Sequence, residues 1–586
     1  MSNRFEVVGE LATGGFARVL SVKDKDGKLY ALKKPFHSAD HLQYSTGIVN
    51  MKELYIMTNI KHPYIQDALT VFFDDPCPQE ISILNSLPPG MGGYDRVFFL
   101  MTQARFTCHE LVHQHKTDIS HIKRAMFQMT CALYHLHSKG ICHRDIKPGN
   151  FLCHYNNGVL LTRLTDFGMT KPMNKVNRNS LHAGTAYYRS PELLMRNGEY
   201  DFSMDVWALG CSFFEMVTKR ILFKGDNDLQ ILNLMFLHRG SPTETTYRRI
   251  SAGEIEIPVG KFKAKPMKKL MNLKPNDRQL FNQIIVGNLY SPGTLDEFAD
   301  LIDKMMQINP DDRPNMHQVL AHPFFAGFFK PHPLDYGLWR PQLEVEEDCI
   351  QIFPKDHELW RCGANCFIHM APDSSRYDEE VSYSIRFHGL DIYNRFLLKM
   401  EPSNDRTIYT KIAWSAGYIA SKFFLDEASS HMYDIFPESR VEMPIHEVIK
   451  LEKFIIQVLK SEVYRPTCFT FLEKRAFYEA LFILMLRDDL MYGRPMRRIM
   501  KIFNDDVDRI LTQDAAESKP VEIINGQVSP RQEGEKQRSM RLKDRTIQLA
   551  QQTQFEAQNG FNNKQGQVTQ YSPFPPIVNQ QQPRIF

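Results

Sequence analysis

Three short segments in a fixed order constrain this chain more than anything else in it. They are Ala31-Leu32-Lys33, His143-Arg144-Asp145-Ile146-Lys147-Pro148-Gly149-Asn150 and Asp166-Phe167-Gly168. The patterning around them divides the sequence. Residues 5–36 read as strands, with alternating apolar positions and a Lys-Asp-Lys-Asp-Gly turn at 23–27. From about 118 to 325 the pattern is mostly helical, with loops marked by Pro and Gly. The stretch 326–355 is rich in Pro, His and aromatic residues, lacks a clean period, and reads as a linker. Helical periodicity returns over 356–513. Beyond about 515, a basic segment from Arg531 to Arg545 leads into a Gln/Asn-rich tail. The tail is too poor in apolar residues to offset its ordering entropy, so disorder is expected there.

The segments carry complementary chemistry. Lys33 ends a strand and offers an ammonium, and Glu53, in the helical run Met51-Lys52-Glu53-Leu54-Tyr55, is its natural ion-pair partner. Asp145 is placed to orient a hydroxyl and accept its proton, while Asn150 and Asp166 offer the oxygens that a magnesium ion prefers. Those are the parts phosphoryl transfer needs: held phosphates, bound metal and an aimed nucleophile.

In spacing and order, the motifs resemble the eukaryotic protein kinase family over residues 5–325. The resemblance implies an α+β bilobal protein kinase fold over 1–327, with ATP and Mg2+ as cofactors. It makes Asp145, Lys147, Lys33 and Glu53 the catalytic set, with Lys147 in the pattern of serine/threonine kinases. Nucleotide contacts fall to Ala12, Gly14, Ala17, Val19, Lys33, Asn150 and Asp166, and the metal to Asn150 and Asp166. Glu192 and Arg313 match a structural ion pair of the C-terminal lobe. In the segment Ala12-Thr13-Gly14-Gly15-Phe16-Ala17-Arg18-Val19, two of the family's three glycines are alanines. Glycine lets backbone amides approach phosphate closely, so a nucleotide-binding pseudokinase scaffold is the alternative to an active enzyme.

Ala186-Tyr187-Tyr188-Arg189-Ser190-Pro191-Glu192 resembles the cyclin-dependent kinase branch, as does the insert at about 242–300. That branch carries an activating phosphosite five residues before Thr185, here Ser180, and three cations that match Lys52, Arg144 and Lys171. Phe16 replaces the inhibitory tyrosine and has no hydroxyl to modify. Lys261, Lys263, Lys265, Lys268 and Lys269 form a basic cluster that reads as a solvated face.

Within 356–513, three segments together resemble a cyclin box, an all-α helical domain: Leu390–Leu397, Lys411–Phe423 and Val448–Leu459. Ala413, Ala416, Gly417 and Ala420 form a stripe of small residues suited to a crowded central helix. Lys422 and Glu452 match the pair through which cyclins grip a kinase, although Phe424-Leu425 stand where the family has acids. The implied organisation is a kinase domain at 1–327, a linker at 328–355, a cyclin-like domain at 356–513 and a tail at 514–586. The implied activity is a cyclin-dependent-kinase-like enzyme activated by its own second domain. A second domain that recruits transcription partners is the rival.

The remaining features exclude other classes. The 586 residues, 43% hydrophobic and 24% charged, suffice for several domains with sizeable cores. A formal net charge of +3 argues neither for nor against nucleic acid, and no direct nucleic-acid partner is expected. Ten cysteines without a CxxC pair speak against a zinc ribbon or a disulfide framework. Cys362 and Cys366, four apart, read as two small side chains on one helix face. The N-terminus lacks a secretory signal, and the longest apolar run, Leu481–Leu486, falls short of the ~20 residues needed to span a bilayer. The expected setting is therefore intracellular, cytoplasmic or nuclear, and a fused kinase–cyclin with such a tail points to a large DNA virus or a protist. Expected partners are protein substrates with Ser or Thr, proline-directed sites among the candidates, and the chain's own cyclin-like domain.

Overall fold

The computed structural model describes residues 5–13, 17–35, 51–73, 97–114, 119–156, 159–173, 184–253, 255, 262–273, 294–326, 357–364, 366–370, 379–400, 403–425 and 445–464. The chain forms two compact units. The first comprises Met1–Trp339 with Ser421–Ile435 and Glu442–Lys453; the second comprises Arg340–Ala420, Phe436–Val441 and Phe454–Phe586. The expected contiguous domain at 356–513 is thus shared between the two units, because parts of its later helices pack with the first. Residues 14–16, Ser180, Lys261, the linker at 328–355, residues 476–513 and the tail lie outside the described residues.

In the first unit, strands β1 (Glu6–Thr13), β2 (Ala17–Lys23), β3 (Leu29–Pro35), β4 (Thr70–Phe73) and β5 (Val97–Thr102) form an antiparallel sheet in the order β1-β2-β3-β5-β4. The β2–β3 turn is stabilised by Asp24, whose carboxylate accepts from the amides of Asp26 and Lys28 at 3.0 and 2.9 Å. Alternation places Val22, Leu32, Phe98 and Leu100 in one buried cluster. Helix α1 (Met51–Asn59) lies between β3 and β4 in the chain and buries Met51, Leu54, Ile56 and Met57.

The helical part of this unit is interrupted by short strands that the helical reading of 118–325 did not include. These are β7 (Ile141–Cys142), β8 (Phe151–Asn156), β9 (Val159–Leu164) and β10 (Lys171–Pro172), with β6 (Phe106–Thr107) just upstream. They form two small sheets, β6-β8-β9 and β10-β7. Helices α2 (Cys108–His113) and α3 (Ile119–Ser138) precede them, and α4 (Pro191–Leu194) and α5 (Ser203–Thr218) follow. Helix α5 is buried from Met204 to Met216, so it is covered on every side, with Asp205 and Glu215 as charged residues within it. Gly210 lets it pack closely, since a Cβ there would lie 2.9 Å from the Met306 side chain. The predicted structural ion pair is formed: Arg313 donates to both Glu192 oxygens at 2.7 and 2.8 Å, fully buried, with its guanidinium 5.0 Å from the Trp207 ring.

C-terminal to these, the chain is all helical where described: His357–Ala364, Cys366–His369, Glu379–Leu397, Arg406–Phe424 and Ile445–Val458. The three segments expected to be helical fall within the last three, apart from Leu459, one residue past the final helix. Cys362 and Cys366, by contrast, belong to two different helices. Within the second unit, Gly389 and Gly417 meet where two long helices cross. A Cβ on Gly389 would sit 3.0 Å from the Gly417 Cα, so any larger pair would force the helices apart. Ala413, Ala416 and Ala420 of the predicted stripe are buried beside them. The Trp360 indole donates to Asn394 Oδ1 at 2.7 Å, and the Tyr393 hydroxyl donates to the Trp360 carbonyl at 3.0 Å. No described helix is long and apolar enough to cross a membrane.

Candidate active site

Lys33 lies on β3, paired with Val19 on β2 and Phe99 on β5, so its backbone is fixed from both sides. Its Nζ is 2.6 Å from Glu53 Oε1 and 3.6 Å from Asp166 Oδ1. Burial works against the ammonium, but the carboxylates of Glu53 and Asp166 outweigh it and raise its pKa. Glu53 is itself buried on α1. The pair therefore ties helix to sheet and presents a permanent positive charge beside Asp166.

Asp145 sits at the centre of a dense network. Its Oδ2 accepts from Lys147 Nζ at 2.8 Å and Asn150 Nδ2 at 2.9 Å. Its Oδ1 accepts from the Thr185 amide at 2.9 Å and the Thr185 hydroxyl at 2.7 Å. Lys147 also donates to the Thr185 hydroxyl at 2.8 Å. Burial alone would raise the Asp145 pKa; the bonds from Lys147 and Thr185 reverse that and lower it. The carboxylate is fixed in both rotamer and charge.

The segment carrying Asp145 is anchored from below by Asp205, fully buried in the first turn of α5. Its carboxylate accepts from the amides of His143 and Arg144 at 2.8 and 2.9 Å and interacts with His137 at 2.9 Å. These bonds help Arg144 adopt a left-handed conformation, φ 69°. Asp166 is left-handed too, φ 64°, with Phe167 buried against the edge of the His143 ring at 5.7 Å. Such conformations cost non-glycine residues about 1–3 kcal/mol and persist where surroundings over-determine them. The outcome is that Asp166, half exposed, faces Lys33. Gly184 is required for a related reason: its φ is 79°, and a Cβ would lie 2.6 Å from the Arg144 carbonyl oxygen.

The other predicted residues are placed as follows. Ala12 is paired with Val19 across β1 and β2, and Ala17 is buried at the start of β2. Gly14 lies outside the described residues. Lys52, Arg144 and Lys171 are all buried. Arg144 donates to the Met169 carbonyl at 2.7 Å and the Tyr200 hydroxyl at 3.1 Å, and Lys171 stands opposite Cys142 in the β10–β7 pair. Lys52 Nζ is 3.5 Å from the Leu425 carbonyl, both in the first unit. In that same unit the Phe423 ring packs edge-on to Tyr55 at 5.8 Å, and Lys422 is hydrogen-bonded to Glu452 in a fully buried pair. Lys268 pairs with Asp296 on the surface, consistent with the solvated reading of its basic cluster.

Sequence reasoning missed Asp205, and it used Thr185 only as a landmark. The signal for Asp205 is a lone acid opening the apolar helix Ser203-Met204-Asp205-Val206-Trp207, where only a structural bond partner could justify a buried charge.

Comparison with known proteins accords with this geometry. The model of the protein kinase domain family matches residues 5–325. The chain is similar to the serine/threonine-protein kinase ssn3 of Neosartorya fischeri, 25% identical over 362 residues, covering 55% of this chain and 78% of that protein. The ssn3 of Aspergillus fumigatus is similar to the same extent. GLH-binding kinase 1 of Caenorhabditis elegans is 26% identical over 289 residues, covering 48% of this chain and 67% of that protein. The family match takes in more than half of the chain and every residue from β1 to the helices beneath Asp145, so this protein belongs to the protein kinase family and is a serine/threonine kinase.

Proposed function

We propose that the protein transfers the γ-phosphoryl group of ATP to serine or threonine hydroxyls, and that its C-terminal helices act as a built-in, cyclin-like activator of a cyclin-dependent-kinase-like catalytic unit. In this reading Lys33, fixed by Glu53, positions the nucleotide phosphates. Asp145 orients the incoming hydroxyl and receives its proton, and Lys147 balances charge beside it. Asn150 and Asp166 supply oxygen donors of the type magnesium selects, and the half-exposed Asp166 carboxylate fits that role. Magnesium bound there would neutralise phosphate charge. Ala12, Gly14, Ala17 and Val19 would cover the nucleotide. Alanine at 12 and 17 is the observation that favours the second reading, a nucleotide-binding scaffold without turnover.

The observation that carries the activator reading is the environment of α1. Phe423 packs on Tyr55 and the Leu425 carbonyl approaches Lys52, and these two residues flank Glu53. Support there would favour the inward position of Glu53, a two-state element that a partner can bias. Lys422 and Glu452 would then brace the supporting segment internally. Ser180, with Lys52, Arg144 and Lys171, would add a phosphorylation switch. Full-length protein incubated with radiolabelled ATP and a basic substrate should label serine or threonine, lose that activity on magnesium chelation and regain it on magnesium addition. Nucleotide binding without labelled product would favour the scaffold. Selective capture of transcription factors by the 340–520 segment, with no effect on rate, would favour recruitment.

A further inference from the structure

We propose that His109, His113 and Glu215 form a binding site for a divalent transition-metal cation of the zinc class, separate from the phosphotransfer site. The segment reads His109-Glu110-Leu111-Val112-His113, and on α2 the i, i+4 spacing puts both imidazoles on one helix face. From α5, the Glu215 carboxylate points at them. Its Oε1 lies 3.0 Å from His109 Nδ1 and 3.1 Å from His113 Nε2. The three donor atoms lie within 4.8 Å of one another, close enough for one ion to reach all three. Burial is graded across the group: Glu215 is fully buried, whereas the His109 and His113 side chains are 48% and 29% exposed. A cation would thus rest on a desolvated carboxylate while keeping an open side for water, as two histidines and a glutamate do around zinc. The second Glu215 oxygen accepts from the buried Tyr188 hydroxyl at 2.5 Å, the outer-shell bond that orients a ligating carboxylate.

Glu110 shows what this site would not do. In metal-dependent hydrolases with this spacing the intervening glutamate acts as a base. Here Glu110 Oε2 accepts from the Thr107 amide at 2.7 Å and the Thr107 hydroxyl at 3.1 Å, completing a capping box at the start of α2. The site is therefore assigned to binding and not to hydrolysis. The other cluster of metal-ligand type, His137, Cys142 and Asp205, is a poorer candidate. Asp205 is occupied by backbone amides, and burial pushes the Cys142 thiol far above its ordinary pKa, against thiolate ligation.

The test is titration of full-length protein with Co2+, read by its visible absorption, followed by competition with Zn2+. One equivalent should bind without a thiolate charge-transfer band, and Zn2+ should displace it. Excess Mg2+ should not, because imidazole nitrogen is a poor magnesium ligand. His109→Asn and His113→Gln should each weaken Co2+ binding about tenfold or more. His109 is half exposed, so the first variant should keep its metal-free melting temperature. The proposal is overturned if wild type binds no Co2+, or if both variants bind it with wild-type affinity and spectrum.

Discussion

The cleft of the kinase unit and the helical region after residue 357 are built on opposite principles. In the cleft, Lys33, Glu53, Asp145, Asn150 and Asp166 come from several separate segments of the chain, and each meets another of them in an ion pair or hydrogen bond. Among the helices, Gly389 and Gly417 matter for being small where two helices cross, and Ala413, Ala416 and Ala420 are small buried residues on the helix that carries Gly417. Charged groups in a protein interior must find partners, so a network of them fixes both residue type and order. Helix packing fixes volume and period and leaves identity open. The first region therefore names its chemistry, whereas the second states only its architecture.

The comparison would break most visibly at the charged groups. Lys33→Ala or Asp145→Asn should lower kcat by about 10²–10³-fold or more. The isosteric Asp145→Asn should keep a near-normal melting temperature, whereas Lys33→Ala, which leaves the buried Glu53 carboxylate without its partner, should lower it. Wild-type initial rates in either variant would contradict the roles given to them.

A second pair of substitutions sharpens the contrast. Asp205→Ala leaves the His143 and Arg144 amides without their carboxylate and should cost about 3–5 kcal/mol as well as most activity, measured by urea unfolding and initial rates. Gly389→Ala should cost about 1–3 kcal/mol through overpacking against Phe367 and the Gly417 backbone. If Gly389→Ala proved neutral, the close helix crossing would not be a constraint.

The legibility of the fold follows the same division. The strands at 5–36 were readable because alternation and the Asp24 turn act locally, and the cleft was readable because its motifs are dense in charge. The strands β7 and β10 were not, since each is two residues long and its partner lies about thirty residues away. Strands β8 and β9 pair with each other as sequence neighbours and were overlooked inside a mostly helical stretch. Asp205 was missed because its role, accepting from amides some sixty residues away, leaves one acid and no pattern. The sharing of helices between units was also invisible: periodicity shows that Arg406–Phe424 buries a face but not which neighbour covers it.

Acid should act on the kinase unit through two buried histidines. Burial, with Lys139 near one and Arg163 near the other, lowers the pKa values of His135 and His154 from 6.5 to about 4. Between pH 4 and 6.5 the unfolded chain binds more protons than the folded one, so stability rises with pH across that window and is fully present above it. The contribution is about 2–3 kcal/mol for each residue. His135→Gln should flatten the dependence of the urea midpoint on pH between 7 and 5. An unchanged slope would show that His135 protonates without cost.

Activation of the catalytic unit by the C-terminal helices, as proposed above, would draw on tethering, which gives an attached domain an effective concentration in the millimolar range. Initial rates should be compared for full-length protein, for residues 1–330, and for 1–330 supplemented with the 340–520 segment carrying either Lys422 or the Lys422→Glu substitution. The account predicts that the truncated kinase is slower by about tenfold or more, that the segment partly restores the rate, and that Lys422→Glu weakens the rescue. A truncated kinase matching the full-length rate would contradict it.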